Sequence, residues 1–284
     1  MDFEYSERTM KLRREIEEFM DAYIYPNEEL YYQQLDEGES RWEHPPILEE
    51  LKEKAKSAGL WNMFLPDSER GAGLTNMEYT PLCEIMGKVH FAGEVFNCSA
   101  PDTGNMETIE RYGSEEQKQY WLPKMASGDK IGCFGLTEPN FGSNPSGMIT
   151  KAKKVNGGYN LNGSKMWITN GTIADVAIVW AKDENDEILG LLVEKGSEGF
   201  SAPEMKGKLS LKASITSELV FENVFVPETH VLPNVKGLKG PLGCLNQARY
   251  GIGWGAIGAS MNMYDVALQY SKDRVQFDKP IASF

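Results

Sequence analysis

Thr137, Ser143 and Ser146 bring three hydroxyls into one glycine- and proline-bearing stretch, Thr137-Glu138-Pro139-Asn140-Phe141-Gly142-Ser143-Asn144-Pro145-Ser146-Gly147. Gly142 and Gly147 permit backbone dihedrals that other residues avoid, and let the chain come close to a ligand. Hydroxyls and unpaired N–H groups in such a loop can face the edge of a ring or a phosphate. The apolar run Ile131-Gly132-Cys133-Phe134-Gly135-Leu136 leads into it. A long loop after a strand in a compact domain is usually functional. Two strand-like runs later comes Gly163-Ser164-Lys165-Met166-Trp167-Ile168-Thr169-Asn170-Gly171. On composition alone, a plain surface loop between two strands accounts for this pattern as well.

The elements that must position these residues fall into three groups. Residues 1–130 read as helical. Leu12, Ile16, Phe19, Met20 and Tyr23 recur at helical spacing in a helix over 6–24, with Ser6 as cap and Pro26 as stop. Asn27 to His44 reads as loop or a short exposed helix. Pro46 suits the first turn of a second helix that ends at Gly59, and Asn76 can cap a third. Pro101 to Arg111 carries Met106 and Ile109 on a further helix. Ser114 and Gln117 form a capping box for a helix that ends near Pro123. Core packing accounts for the apolar stripes of all these helices.

Residues 131–236 read as a β-domain. Candidate strands are 131–136, 149–155, 159–161, 165–169, 176–180, 188–193 and 219–221. Asn156-Gly157-Gly158 and Asn162-Gly163 are hairpin signals. A small barrel or sandwich is expected. Over 237–284 the helical period returns, with Leu245, Arg249, Ile252, Ala256, Ala259, Met263, Val266 and Tyr270 on one face. Gly251, Gly253, Gly255 and Gly258 each cost this helix roughly 1 kcal/mol relative to alanine. That cost is tolerable where small residues let a second helix or a ligand lie close. The fold class is therefore α+β and multidomain: an N-terminal helical domain, a central β-barrel or sandwich domain, and the start of a C-terminal helical bundle.

Composition removes several functions. A net charge of −13 over 284 residues argues against nucleic acid, whose phosphates need a basic face. The four cysteines and three histidines are too scattered for a metal site or a disulfide scaffold, which fits a reducing compartment. No run approaches the ~20 apolar residues of a membrane span. The acidic start, Met1-Asp2-Phe3-Glu4, resembles neither a secretory signal nor a transit peptide. A cytoplasmic location is expected, or the mitochondrial matrix if a transit peptide has been removed.

"LTEPNFGSN" followed by "KMWITNG" resembles the paired signature of the acyl-CoA dehydrogenase family. That resemblance implies FAD, with Phe134, Leu136, Thr137, Gly142, Ser143, Trp167, Ile168 and Thr169 around its ring. Asn144 stands where the family often has aspartate. Leu245-Asn246-Gln247-Ala248-Arg249-Tyr250-Gly251 resembles the helix that lines the family's acyl-CoA cavity, so Ser143, Leu245, Asn246 and Arg249 are candidates for the substrate. Alternatively, Arg249 pairs with an acid in the helical layer. Residues 273–281 resemble the R-x-x-F-G-x-P motif, with Asp278 in place of its glycine. The resemblance makes Arg274, Gln276 and Phe277 cofactor candidates, the arginine on the pyrophosphate of a neighbouring subunit.

As implied by the family, the activity is α,β-desaturation of an acyl-CoA thioester, with electrons leaving to an electron-transferring flavoprotein. A homo-oligomer, dimer or tetramer, is expected of the full-length form. The reaction needs a carboxylate base. In most members this is a glutamate in a C-terminal helical segment, and the sequence stops at Phe284 before any such segment. A minority carry it where Ala248 stands. The expectation is a truncated chain whose catalytic residues are unassigned. A non-catalytic scaffold that binds acyl-CoA or a related subunit is the alternative, and an oxidase or monooxygenase of the same fold a third. The stretch from Glu94 to Glu107 resembles the branch for long or unusual acyl chains. From Gly132 onward the chain is similar to glutaryl-CoA dehydrogenase, with Val95 where that enzyme has its carboxylate-binding arginine.

Overall fold

The structure, a computed structural model, describes residues 4–38, 42–66 and 71–284. Met1, Asp2 and Phe3 of the acidic start lie outside them. The N-terminal third is helical. Helix α1 (Glu7–Phe19) begins at Ser6, whose Oγ accepts the Thr9 N–H at 3.2 Å. Pro26 does not stop the helical path. A π turn (Met20–Ile24) and a 3-10 turn (Tyr25–Asn27) carry the chain into α2 (Glu28–Glu37). Proline cannot donate a helical hydrogen bond, and the change of helix type is where the chain takes that loss.

Helix α3 (Pro46–Ser57) opens on its proline. Helix α4 (Asn76–Met86) is capped by Thr75, one residue earlier than expected, because Thr75 and Glu78 bond reciprocally. The short α5 (Ala92–Val95) and α6 (Asp102–Tyr112) follow. The Ser114 and Gln117 box opens α7 (Glu115–Ser127), which runs through Pro123 and ends at Gly128, in the left-handed region with φ +83°.

Seven strands form one mixed sheet: β1 (Gly132–Gly135), β2 (Lys151–Val155), β3 (Gly158–Thr169), β4 (Val176–Lys182), β5 (Ile188–Glu194), β6 (Phe200–Ser201) and β7 (Thr216–Pro227). Its order is β1-β4-β2-β3-β7-β6, with β5 antiparallel on β4. Alternation along β4 serves two cores. Val176, Ile178 and Trp180 face Met106, Ile109, Trp121 and Leu122 of α6 and α7. Ala177, Val179 and Ala181 share an interior with Leu161, Ile168, Leu219 and Phe221 of β3 and β7, so the sheet curls onto itself.

Asn162-Gly163 is a bulge within β3, not a hairpin turn, so two expected strands are one. Gly163, at φ +141°, passes so close to Thr150 that a Cβ there would lie 2.6 Å from its Oγ1. Helix α8 (Lys239–Asp273) then runs 35 residues, and a tight hairpin of β8 (Val275–Gln276) and β9 (Lys279–Pro280) follows. Ile252, Met263, Val266 and Tyr270, expected on the packing face of α8, are exposed. The helix packs through Cys244 and its glycines instead. A Cβ at Gly258 would meet the Glu84 carbonyl at 1.8 Å, and one at Gly87 the Gly255 carbonyl at 2.2 Å. The glycines thus allow α8 to lie against α4.

Candidate functional site

The loop after β1 is held from beneath. Glu138 is buried, and its carboxylate accepts the Ile149 N–H at 2.7 Å and the Thr150 N–H at 3.0 Å, at the far end of the loop. Lys165, fully buried on β3, donates to Glu138 Oε1 at 2.8 Å and to the Leu136 carbonyl at 3.2 Å. Burial would push the Glu138 carboxyl up, but the Ile149 N–H, the Lys165 ammonium and Thr150 outweigh it and hold it below the usual range. Burial draws Lys165 below its ordinary value against the pull of Glu138. Neither residue is among the site candidates that the sequence suggests. The available signal was a lysine in the middle of an otherwise strand-like run, whose charge requires a partner once its position is buried.

This clamp presents the expected residues unequally. The Met166 N–H donates to the Thr137 carbonyl at 2.9 Å, which ties the loop to the end of β3. The β3–β7 register breaks between Lys165 and Ile168, and Trp167 enters the left-handed region at φ +61°. Trp167 is 57% exposed. Gly142 and Ser143 are exposed, while Thr137 and Thr169 are half-buried. The hydroxyls of Thr137, Ser143 and Thr169 accept and donate no hydrogen bond among the described residues. Leu136 and Ile168 bury their side chains in the two cores, and Phe134 packs tilted on Trp180 with ring centroids 6.2 Å apart. The result is a surface of free hydroxyls beside an exposed aromatic ring, which fits a planar, hydrogen-bonding cofactor.

Thr169 also lines a cavity of 910 Å³ where the three units meet. Tyr79 and Cys83 of α4, Phe91, Glu107 of α6, and Gln247 and Gly251 of α8 contribute to its wall. Such a volume is ordinary for a small-molecule site. Burial pushes the Tyr79 phenol well up, and the neighbouring Cys98 and Cys83 add to the rise. Burial pushes Cys83 up to about 11 and Cys98 up to about 12, so both thiols are protonated at neutral pH and neither is a ready nucleophile. Glu94 on the same wall is held by the Lys52 ammonium at 3.0 Å. Glu107 is pushed up by burial, with Arg111 opposing.

Other expected residues lie apart. Leu245 packs on the α6–α7 core, and Asn246 and Arg249 are exposed. Arg249 donates to Asn246 Oδ1 at 2.8 Å, so its partner is an amide, not an acid. Gln247 and Ala248, between them in sequence, face the cavity instead. Arg274, Gln276 and Phe277 are exposed beyond the end of α8, where Gln276 donates to the Val275 carbonyl at 2.8 Å and Phe277 meets Phe284 edge-on. Phe277 and Asp278 form the turn between β8 and β9 at φ +51° and +61°. The second of these conformations suits the glycine that Asp278 replaces. Among the described residues no cluster of histidine, cysteine and acids could hold a metal ion, and no helix is long and apolar enough to cross a membrane.

Three family models match consecutive parts of the chain. They are the acyl-CoA dehydrogenase N-terminal domain over 6–129, the middle domain over 133–224 and the C-terminal domain over 236–284. Acyl-CoA dehydrogenase family member 10 of Mus musculus is 48% identical over 170 residues, covering 57% of this chain and 16% of that protein. The mitochondrial isovaleryl-CoA dehydrogenase of Solanum tuberosum is 43% identical over 232 residues, covering 79% of this chain and 56% of its own. The crystal structure of a glutaryl-CoA dehydrogenase from Mycobacterium smegmatis in complex with FADH2 superposes with a TM-score of 0.83 at 39% identity, over 99% of this chain and 69% of that one. The chain therefore spans little more than half the length of the potato enzyme, and a smaller share of the mouse protein.

Proposed function

As the chain belongs to the acyl-CoA dehydrogenase family, we propose that it binds FAD on the surface formed by the loop after β1 and the end of β3. We further propose that the adjoining cavity takes an acyl-CoA, which the protein oxidises between its α and β carbons. The observation that carries this reading is the continuity of the two places. Thr169 belongs to the hydroxyl-bearing surface and to the cavity wall at once. The Thr137, Ser143 and Thr169 hydroxyls and the exposed Trp167 would hold the flavin ring, and the cavity that Thr169 lines would take the thioester. The smegmatis enzyme of like fold was crystallised with FADH2, and its name places glutaryl-CoA as a substrate of that protein.

Bound FAD would supply the two-electron acceptor for the hydride that leaves the β carbon, and the α proton would pass to a carboxylate base that is assigned to none of the described residues. The chain's own residues bind and orient: free hydroxyls and N–H groups stabilise charge on the ring's edge, and the walls of α4, α6 and α8 exclude water from the acyl chain. Arg274, Gln276 and Phe277 stand exposed beyond the end of α8, and we assign them to the flavin of a second copy in a homo-oligomer. A guanidinium suits a pyrophosphate there. Electrons would leave to an electron-transferring flavoprotein. The acyl chain preferred is set by the cavity between Tyr79 and Gln247.

The test is anaerobic addition of acyl-CoA thioesters of graded length to the FAD-loaded chain. Bleaching of the flavin band by at least one thioester is expected. A flavin band that no thioester alters would sink the desaturation reading.

A further inference from the structure

We propose that Glu138 and Lys165 are positioning residues for the flavin surface: their buried pair fixes the loop after β1 and the outward turn of β3 in a single frame. The inference rests on the FAD reading above. Glu138 lies at the start of the loop, yet both its oxygens are spent on backbone N–H groups at the loop's end, Ile149 and Thr150. One carboxylate thus closes the loop on itself. Lys165 brings in the third strand, through the same carboxylate and the Leu136 carbonyl just before Thr137. Its stem packs on Gly135, where a Cβ would lie 3.4 Å from the lysine Cγ.

What the pair holds is what the flavin needs. The residue after Lys165 donates to the Thr137 carbonyl at 2.9 Å, and the residue after that is Trp167, turned outward at φ +61°. The register of β3 against β7 is lost directly after Lys165 and regained at Ile168. A buried ion pair is a poor source of net stability, since two apolar side chains of similar volume often do as well. Its directional demands are different. Four hydrogen bonds from two side chains are met in one loop conformation, and a slipped register would leave a buried charge unmatched. The pair therefore selects geometry more than it adds stability.

The experiment uses the full chain with two variants, Glu138→Gln and the double variant Glu138→Gln/Lys165→Met. The double variant leaves no uncompensated charge and keeps the test open if the single one fails to fold. FAD affinity and the flavin absorbance bands are measured beside hydrogen exchange of the Met166, Ile149 and Thr150 amides without cofactor. We expect a folded double variant whose three amides exchange faster, whose affinity for FAD falls roughly tenfold or more, and whose flavin bands shift. Apo stability equal to wild type would accompany this, which a mere staple would not give. A folded double variant with wild-type amide exchange and FAD affinity within about twofold overturns the proposal. If the wild-type chain takes up no FAD, the reading beneath it and this role fall together. A double variant that matches a binding wild type overturns this role alone.

Discussion

Asp102 joins the helical domain to the sheet with one carboxylate. Its Oδ1 accepts the Gly132 N–H at 2.7 Å and the Asn105 amide at 3.1 Å. Burial pushes its carboxyl up to about 7; the Asn105 amide, the Gly132 N–H and Lys52 oppose this, while Glu94 adds to it. The folded chain therefore keeps a proton between about pH 4 and pH 7 that the unfolded chain has released. Where the folded state binds more protons, stability falls as pH rises, and it levels off above the folded value. Asp102→Asn removes the titration but keeps an oxygen that can accept the Gly132 N–H. Relative to wild type, the variant should gain more than about 1 kcal/mol between pH 4.5 and pH 8. Urea melts at the two pH values check this, and parallel wild-type and variant profiles would contradict it.

At the same scale, the hydroxyl residues were legible because threonine, serine and glycine in a loop have few structural uses. Glu138 and Lys165 were not legible. In a sequence a charged residue reads as solvated, and the burial of these two depends on a fold in which residues 27 apart come together. Ile168 and Leu136 were legible as part of a motif, but not in their orientation, which strand alternation and the bulge decide together.

Helix α8 shows the same division among elements. Its glycine content announced a close approach, and the approach is to α4, at Gly87, Gly255 and Gly258. Its apolar periodicity pointed to a different face, because periodicity alone cannot tell a stripe packed within the described residues from one left exposed. The glycines give a sharp contrast. Gly258→Ala would place a Cβ 1.8 Å from the Glu84 carbonyl. Backbone would have to shift, at a cost of about 1–3 kcal/mol or more. Gly253 has nothing within 4 Å of a Cβ, so Gly253→Ala should stabilise by up to about 1 kcal/mol of helix propensity. Thermal melts of both variants decide it, and equal shifts would contradict the packing described for α8. Strand β3 teaches a related lesson. Asn162-Gly163 carries the residue types of a hairpin turn, and the chain uses the glycine's freedom to pass Thr150 within the strand instead.

Over the whole molecule, the three-unit layout was legible, since the change from a helical to an alternating period at residue 131 and back near 240 is a property of the sequence itself. The cavity was not legible, because its wall draws on residues from Glu28 to Met263 that only the assembled units bring together. It is there that the proposed cofactor surface and the proposed substrate space adjoin.

The most direct test of this account is the visible spectrum of the purified chain after incubation with excess FAD and removal of the free dye, beside that of Thr137→Ala. About one flavin per wild-type chain is expected, and a lower occupancy for the variant, by the loss of one hydrogen bond of about 1 kcal/mol. A folded wild-type chain that remains colourless would contradict it.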